Sequence, residues 1–331
     1  MRQSTQPDHC CQCTYQSEDS GNLYAFVCER SSRLVNNGGR TGFIVPIALV
    51  SVTEAKSIRN LLKSNNSHLW TSSYAIRPAK LFEGVEQRLT IVLGQKSPDS
   101  VSSIFTTKYN QWNVNERPFL FQRLRYTEVT NLKGFNIPKI SSKLELSILE
   151  KLQTFNLKVL GGYLVQQSDA TLFFHRTPGY WIRMMNFEPF FKSPTRNRSI
   201  HHIRELFFNN KRNCSFAGSI GSSSMFFHWF FAVGNCRNLT LNDVKMFPIG
   251  EPSEATLEKV SASFDKLMID FNKNSSVNTR GVTSFQEFDW GASKPIIDEI
   301  DRVLAKHYGF TDEELDFIIN YDIKYRMGRE D

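Results

Sequence analysis

The sequence predicts an α/β chain made of an incomplete doubly wound sheet, a mixed α+β domain and C-terminal helices. Three observations predict this fold class. Helix and strand patterns alternate over residues 23–97, residues 100–250 hold 18 of the 27 phenylalanines, and residues 254–271 and 294–331 show helical spacing. With 331 residues, 40% of them hydrophobic, the chain has enough apolar material for packed cores.

The first helix is predicted over residues 22–36 and ends at the left-handed turn that Asn37, Gly38 and Gly39 favour. Its apolar residues recur at helical spacing: Leu23, Phe26, Val27, Leu34 and Val35. A strand follows over Arg40–Pro46. Its short apolar run, closed by proline, predicts a strand that is covered on both faces in a parallel sheet.

The second helix is predicted over residues 53–63, with Thr53 as its N-cap and with Ile58, Leu61 and Leu62 facing inward. Two strands and a polar linker complete the region, over residues 68–73, 87–94 and 98–115. A doubly wound cofactor-binding sheet starts with a strand and a glycine-rich turn at a helix N-terminus. Neither precedes the first helix, so we expect the front half of the sheet to be missing.

The charge of the chain is unevenly distributed around a net value of +7. Residues 111–250 hold 18 basic and 8 acidic side chains, whereas residues 251–331 hold 10 basic and 17 acidic ones. A basic middle is expected of a chain whose centre faces a polyanion such as double-stranded DNA. Uneven but solvated surface charge is the alternative, because salt screens exposed charges.

The six cysteines lack the paired spacing of a disulfide framework or a zinc finger. His9 and the cysteines Cys10, Cys11 and Cys13 suggest a zinc site, but adjacent cysteines reach a tetrahedral ion poorly. We therefore predict no metal. Since no secretion signal begins at Met1 and no apolar run approaches the length of a membrane span, we expect a cytoplasmic protein without a membrane partner.

The sequence contains none of the usual catalytic motifs, whether a nucleophile elbow, a phosphate-binding loop or a zinc-protease motif. Its strongest local signal is the alternation of basic and aromatic residues between residues 172 and 212, which is typical of nucleic-acid binding. Most of these aromatic residues are expected in the core. Residues 177–179 and 219–224 suggest anion-binding loops, although turns and a helix cap explain them equally well.

Several blocks of the sequence occur in a recognisable order. They are Tyr24-Ala25-Phe26, Asn37 to Pro46, Arg77 to Gly94, Ser222 to Trp229, Asn235 to Leu239 with Phe247-Pro248-Ile249, and Ile300 to Leu315 with Asp322 to Arg326. As an ordered set they resemble the C-terminal portion of gamma-class N6-adenine DNA methyltransferases, including fused type IIG restriction-modification proteins. The resemblance covers nearly the whole chain.

The resemblance implies a Rossmann-like domain that binds S-adenosylmethionine, and an Asn/Asp-Pro-Pro-Tyr/Phe motif that holds a flipped adenine. Neither element is found. The Asn/Asp-Pro-Pro-Tyr/Phe motif should lie shortly before Tyr24, but Pro7 is the only proline in residues 1–23. We therefore expect no catalytic or cofactor-binding residue in this chain. The resemblance divides the chain into four parts. They are an irregular N-terminus (residues 1–22), a partial methyltransferase domain (23–97), a DNA target-recognition domain (116–252) and a C-terminal helical segment (253–331).

Nine residues are predicted to contact DNA. Eight would do so through guanidinium or ammonium groups and one through an aromatic ring. They are Arg77, Phe82, Arg88, Arg176, Arg183, Lys192, Arg196, Arg198 and Arg237. The family likeness suggests that Phe82, or a residue near it, walls a flipped base; a place in the core is the favoured alternative.

Three hypotheses follow for the whole chain. In the first, it is the DNA-binding portion of an adenine-specific methyltransferase and is inactive alone. An N-terminal methyltransferase polypeptide, or a longer gene product of which this chain is a piece, would supply the cofactor site. In the second, it is a non-catalytic DNA-specificity protein that needs no such partner. In the third, it is a truncated relic whose half-sheet exposes an unpaired edge and folds poorly.

Overall fold

The computed structural model describes residues 15–97, 102–129, 136–194 and 203–328. The chain divides into two compact units. The first unit comprises residues 1–130 together with 136–138, and the second comprises residues 131–135 together with 139–331. The predicted boundary after residue 97 therefore differs from this division, and residues 253–331 belong to the same compact unit as the segment before them.

The first unit contains three helices and five strands in its described residues. In chain order they are α1 (Leu23–Leu34), β1 (Arg40–Pro46), α2 (Ala48–Ser51), α3 (Lys56–Asn65), β2 (Asn66–Tyr74), β3 (Leu89–Lys96), β4 (Ser103–Asn110) and β5 (Thr127–Val129). The strands form one sheet in the order β1-β3-β2-β4-β5. Only the β2–β4 pair is parallel; β3 runs antiparallel to both of its neighbours, and β5 is antiparallel to β4.

Two predictions about this sheet are wrong. The run Arg40–Pro46 is an antiparallel strand at the end of the described sheet, and several of its side chains are exposed. The expected linker contains β4, which pairs along most of its length with β2. The first error arises because the apolar pattern within a strand does not report the direction of the strand beside it. The second arises because the polar residues around and within β4 are typical of a loop.

Helix α3 confirms the predicted inward positions, because Ile58, Leu61 and Leu62 are all buried. Thr53, by contrast, lies in a short 3-10 turn ahead of α3 and makes no capping hydrogen bond. Helix α1 ends at Leu34 with an extended C-cap residue, so Gly38, at φ +77°, belongs to the turn that leads into β1.

The second unit is a mixed α+β assembly. Its first part contains α4 (Lys143–Thr154), β6 (Leu164–Val165), β7 (Thr171–His175), β8 (Met184–Met185), β9 (Phe191–Lys192) and β10 (Ile203–Phe208). It continues with α5 (Lys211–Ser222), α6 (Ser224–Val233), α7 (Leu241–Lys245), α8 (Glu254–Lys273), β11 (Ser275–Arg280), β12 (Thr283–Phe288), α9 (Lys294–Tyr308), α10 (Asp312–Asn320) and α11 (Ile323–Arg326). Its described strands form two antiparallel sheets, in the orders β6-β10-β7-β8 and β11-β12-β9.

Helix α6 lies at the centre of this unit, and every one of its residues is buried. The aromatic burst that the sequence shows at Met225 to Phe231 is therefore core, as expected for most of the aromatic residues. Ser223 caps the helix by accepting the N–H of Phe226 at 3.1 Å. Helix α5 passes close to α8 because Gly218 leaves room for the Phe264 ring.

The predicted C-terminal helices are present as α8, α9, α10 and α11, and Thr311 and Glu314 form the capping box at the start of α10. The β11–β12 hairpin between α8 and α9 was not predicted. Its polar, mostly exposed residues lack the apolar alternation by which strands are recognised. Among the described residues, no helix is long and apolar enough to cross a membrane.

Candidate nucleic-acid interface

Two of the predicted DNA-contacting arginines come together in the second unit. Arg176 directly follows β7, and Arg237 lies in the loop after α6. The two loops are joined by a backbone hydrogen bond from the N–H of Leu239 to the carbonyl of Arg176, at 2.7 Å. A side-chain hydrogen bond between Thr177 and Asn238, at 3.4 Å, joins them again. We call this pair of loops the 176/237 surface.

The backbone around Arg237 is held in a tight turn by Asn235. The side-chain oxygen of Asn235 accepts the N–H groups of Arg237 and Asn238, both at 2.8 Å. Cys236 adopts the left-handed conformation, at φ +57°, and its thiol is buried. This turn leaves the Arg237 side chain exposed. Within the described residues, neither the Arg176 nor the Arg237 guanidinium is paired with a carboxylate.

Arg183 lies on the same stretch but in a different environment. Its guanidinium lies 4.7 Å from the centre of the Trp290 ring and donates a hydrogen bond to the carbonyl of Pro178 at 3.4 Å. Burial lowers the pKa of this guanidinium to about 10. Arg183 thus packs against an aromatic ring, whereas Arg176 and Arg237 present unpaired cations.

Lys192 is the remaining predicted cation that the structure describes in this unit. It lies on β9, is exposed, and stands opposite Ser284 of the β11–β12 hairpin. Arg196 and Arg198 lie outside the described residues.

In the first unit, the loop between β2 and β3 carries Arg77, Phe82 and Arg88. Arg77 is exposed, whereas the Arg88 side chain is half-buried and donates a hydrogen bond from Nε to the Tyr109 hydroxyl at 2.9 Å. Phe82 is 42% exposed, so the favoured prediction that it belongs to the core is wrong. The neighbouring residues Ala79 and Leu81 are buried instead.

Sequence reasoning missed a second aromatic and basic segment, over residues 114–126. It contains Phe119, Phe121 and Tyr126, all exposed, together with Arg117, Arg123 and Arg125. Arg117 fastens this segment to the preceding loop by donating hydrogen bonds to the carbonyls of Lys80, at 2.8 Å, and Leu81, at 2.6 Å. The dense alternation of arginine with aromatic residues between Arg117 and Tyr126 is the signal by which it could have been found.

The two possible anion-binding loops are explained by turns and a helix cap. Gly179 has φ +60°, and the N–H of Trp181 returns to the carbonyl of Pro178 at 3.2 Å, which closes a turn. The serines at 219, 222, 223 and 224 are buried within α5 and α6 or at the cap between them. The hydroxyls of Ser219, Ser222 and Ser223 bond to the protein's own backbone, and that of Ser224 accepts from Arg326.

Cofactor- and metal-binding features are absent from the described residues, while the expectation of no cofactor and no metal stays a prediction. β1 leads through Pro46 into the short helix α2 without a glycine-rich turn that would hold a nucleoside. The described residues contain no group of three metal-ligating side chains. The cluster of Cys10, Cys11 and Cys13 lies outside the described residues. Cys28, Cys214 and Cys236 are buried and form no disulfide among the described residues.

No protein-family model matches the sequence, and no curated protein matches it. Solved structures give weak similarities. An ATP-dependent Type ISP restriction-modification enzyme, LlaBIII, bound to DNA matches 78% of this chain and 27% of its own, with 10% identity and a TM-score of 0.34. A DrdV–DNA complex matches 90% of this chain and 52% of its own, with 8% identity and a TM-score of 0.36. The type IIG restriction endonuclease BpuSI matches 92% and 51%, with 11% identity and a TM-score of 0.26. The chain thus spans about a quarter to a half of these proteins, and such TM-scores do not establish a common fold.

Proposed function

We propose that this chain binds double-stranded DNA and selects the target sequence for an adenine-specific methyltransferase of a restriction-modification system. The observation that carries the DNA-binding proposal is the 176/237 surface. Two arginines that are far apart in the sequence lie on adjoining loops, and neither is neutralised by a carboxylate within the described residues. Unpaired arginines on fixed loops are suited to gripping phosphates or guanine edges.

The charge of the chain supports the same proposal. The segment 111–250, which contains both arginines, holds more than twice as many basic as acidic side chains. Arginine forms two parallel hydrogen bonds with a phosphate, so a few such contacts contribute much of the affinity for DNA. The sequence likeness to target-recognition regions supplies the reason to expect sequence preference as well as affinity.

Methyl transfer, in this proposal, depends on a cofactor site and an Asn/Asp-Pro-Pro-Tyr/Phe motif that these residues lack. A separate polypeptide or another part of a longer gene product would supply them. Two features of the first unit support such a partner. Leu23, Val27 and Leu34 of α1 are exposed on one face of the helix. β1 pairs only with β3 among the described strands, so its other edge is available to a further strand.

The DNA-binding proposal is tested by replacing both Arg176 and Arg237 with alanine. Each phosphate contact that is lost reduces the slope of log affinity against log salt by about 1, so we expect the slope to fall by about 2. Affinity at low salt should fall about tenfold or more. Fluorescence anisotropy with a labelled duplex, titrated between low and physiological salt, measures both quantities.

The control replaces Arg302 and Lys306, two exposed cations of α9, with alanine. This change removes the same net charge and should leave the salt slope within the error of the wild type. Equal slopes for all three proteins would refute a role for the 176/237 surface in DNA binding.

A non-catalytic DNA-specificity protein is the second candidate, and the missing motifs favour it. The two candidates differ in what a partner does. We expect the chain alone to transfer no methyl group from S-adenosylmethionine to DNA, and a polypeptide carrying the missing motifs to restore adenine methylation. Sequence-preferring binding that never supports methylation with such a polypeptide would favour the second candidate.

A further inference from the structure

Exposed aromatic rings are concentrated in one part of the first unit. Phe119 is 50% exposed, Phe121 is 59% exposed and Tyr126 is 40% exposed. All three lie within a stretch of eight residues. Large aromatic side chains are normally buried, and a cluster of exposed ones marks a binding surface. We call these three residues, with Arg123 and Arg125 between them, the aromatic–arginine surface.

The backbone that carries this surface is held firmly. A 3-10 helix, Val114–Phe119, starts with a capping box in which Asn113 and Glu116 exchange hydrogen bonds. Leu120 is buried in a small core with Trp112 and Tyr74, and Leu124 packs against that core. Because Leu120 and Leu124 occupy the inner side of the turn, Phe119 and Phe121 stay at least half exposed. The Phe121 ring meets buried Tyr74 edge-on, with 6.1 Å between the ring centres.

Basic groups lie beside the rings. The Arg123 guanidinium is 5.7 Å from the centre of the Phe119 ring, and its Nη1 is 3.0 Å from a carboxylate oxygen of Glu116. The Arg125 side chain is exposed and has no ion-pair partner within the described part of the chain. The surface therefore offers aromatic faces for stacking and a free guanidinium for an anion.

This combination fits a nucleic acid better than a protein. The centre of a protein–protein interface is depleted of charge, whereas here two arginines lie between the rings. Stacking of bases on aromatic side chains, with arginine on the phosphates, is how proteins hold unpaired nucleotides. Paired bases do not fit, because their faces are covered by their neighbours in the duplex.

We propose that the aromatic–arginine surface binds unpaired nucleotides, with Phe119 and Phe121 stacking on bases and Arg125 contacting a phosphate. This inference rests on the proposed DNA-binding function, but it assigns a separate surface and a different form of the ligand. DNA strands opened at a target site are the substrate class it fits.

The test compares the full chain with the variant Phe119→Ala/Phe121→Ala on three labelled probes: a 30-base-pair duplex, the same duplex with four central unpaired positions, and a 12-nucleotide single strand. We expect the variant to bind the single strand and the opened duplex at least about tenfold more weakly, with intact-duplex affinity within about twofold of wild type. Phe119→Trp/Phe121→Trp should retain tight binding, because tryptophan also stacks.

Val114→Ala/Leu157→Ala is the matched control, since both residues are exposed and apolar but lie outside the surface. Thermal unfolding of each variant checks that the fold is retained. Unchanged affinity of the alanine variant for the opened duplex and the single strand overturns the proposal and leaves the surface to a protein partner.

The outcomes also separate this proposal from the proposed function. In one outcome, only the phenylalanine variant loses binding to the opened duplex, and loss of Arg176 and Arg237 leaves intact-duplex binding unchanged. That outcome would support the aromatic–arginine surface and refute the 176/237 surface. The reverse pattern would overturn the inference alone. Absence of binding to every probe by the wild-type chain would overturn both.

Discussion

Asp301 belongs to α9, and its buried carboxyl group lies at the start of α6. Its oxygens accept the N–H groups of Ser224 and Met225, both at 3.2 Å, which are among the unpaired donors of the first helical turn. Arg326 donates to the Ser224 hydroxyl at 3.2 Å, and its guanidinium lies 4.1 Å from the centre of the Trp181 ring. This arrangement ties the middle of α9 and the end of α11 to the central helix.

The stability of the protein should depend on pH through this carboxyl. Burial raises the pKa of Asp301 to about 6 from an ordinary value of 3.8, against the lowering effects of these hydrogen bonds and of Arg326. A raised folded-state pKa adds stability that is fully present below pH 4 and is lost as the pH rises through 6. Between pH 5 and 8 this loss is on the order of 1 kcal/mol.

Urea unfolding of the wild type and of Asp301→Asn, at intervals from pH 5 to pH 8, measures this contribution. Other groups titrate equally in both proteins, so the difference between their free energies of unfolding isolates Asp301. We expect the wild type to lose on the order of 1 kcal/mol of stability relative to the variant as the pH rises over this range. A difference that does not change with pH would contradict the assignment.

At the scale of single elements, helical periodicity located α1 but did not identify its buried face. The exposed residues Leu23, Val27 and Leu34 lie opposite a face of small and polar side chains that includes Ala25, Cys28 and Ser32. Glu29 is buried there too, and its carboxylate accepts the N–H and hydroxyl of Ser17. These hydrogen bonds hold the pKa of Glu29 below its usual range in spite of burial. Local satisfaction of a carboxylate thus outweighs apolar character in deciding which face turns inward.

Helices α5 and α8 provide a test of close packing. Gly218 faces the ring of Phe264, and an added Cβ would collide with that ring. Gly218→Ala normally favours a helix by up to about 1 kcal/mol, but here the collision should lower the free energy of unfolding by about 1–3 kcal/mol. Denaturant unfolding measures the free energy of unfolding of both proteins, and the sign of the difference shows which of the two effects is larger.

Gly162→Ala is the control, because a Cβ at Gly162 meets no neighbouring atom. It should leave the free energy of unfolding nearly unchanged. If Gly218→Ala were as stable as Gly162→Ala, the result would contradict the close contact between Gly218 of α5 and the Phe264 ring.

At the scale of the whole molecule, the two compact units predict independent folding of the second. Its core, centred on α6, is composed of its own residues, including Phe226, Phe247 and Tyr308. A fragment of residues 139–331 should therefore unfold in a single cooperative transition, followed by circular dichroism in urea. It should also retain the duplex binding that depends on Arg176 and Arg237. A fragment without a cooperative transition would show that the unit needs the rest of the chain.

The relic hypothesis concerns the whole chain and stays a prediction. It expects aggregation or rapid proteolysis, because an unpaired β1 edge recruits other strands. The same unfolding experiment on the full chain bears on it: a soluble monomer that unfolds cooperatively contradicts the hypothesis.

The sequence by itself located the helices at the two ends of the chain and indicated that most of its aromatic residues form a core, but it did not locate α4 to α7. Apolar spacing and caps such as Thr311 with Glu314 act within a few residues, so a single segment contains the information. The basic, aromatic composition that first suggested nucleic-acid binding is likewise a property of the sequence.

Only the tertiary structure decided which charged and aromatic groups are presented together. Arg176 and Arg183 are seven residues apart and equally basic, yet one lies on an exposed pair of loops and the other against Trp290. Phe82, Phe119 and Phe121 are as apolar as the phenylalanines of α6 but lie at the surface. Their positions depend on partners distant in the sequence, and burial is a property of the whole packed unit that no local pattern encodes.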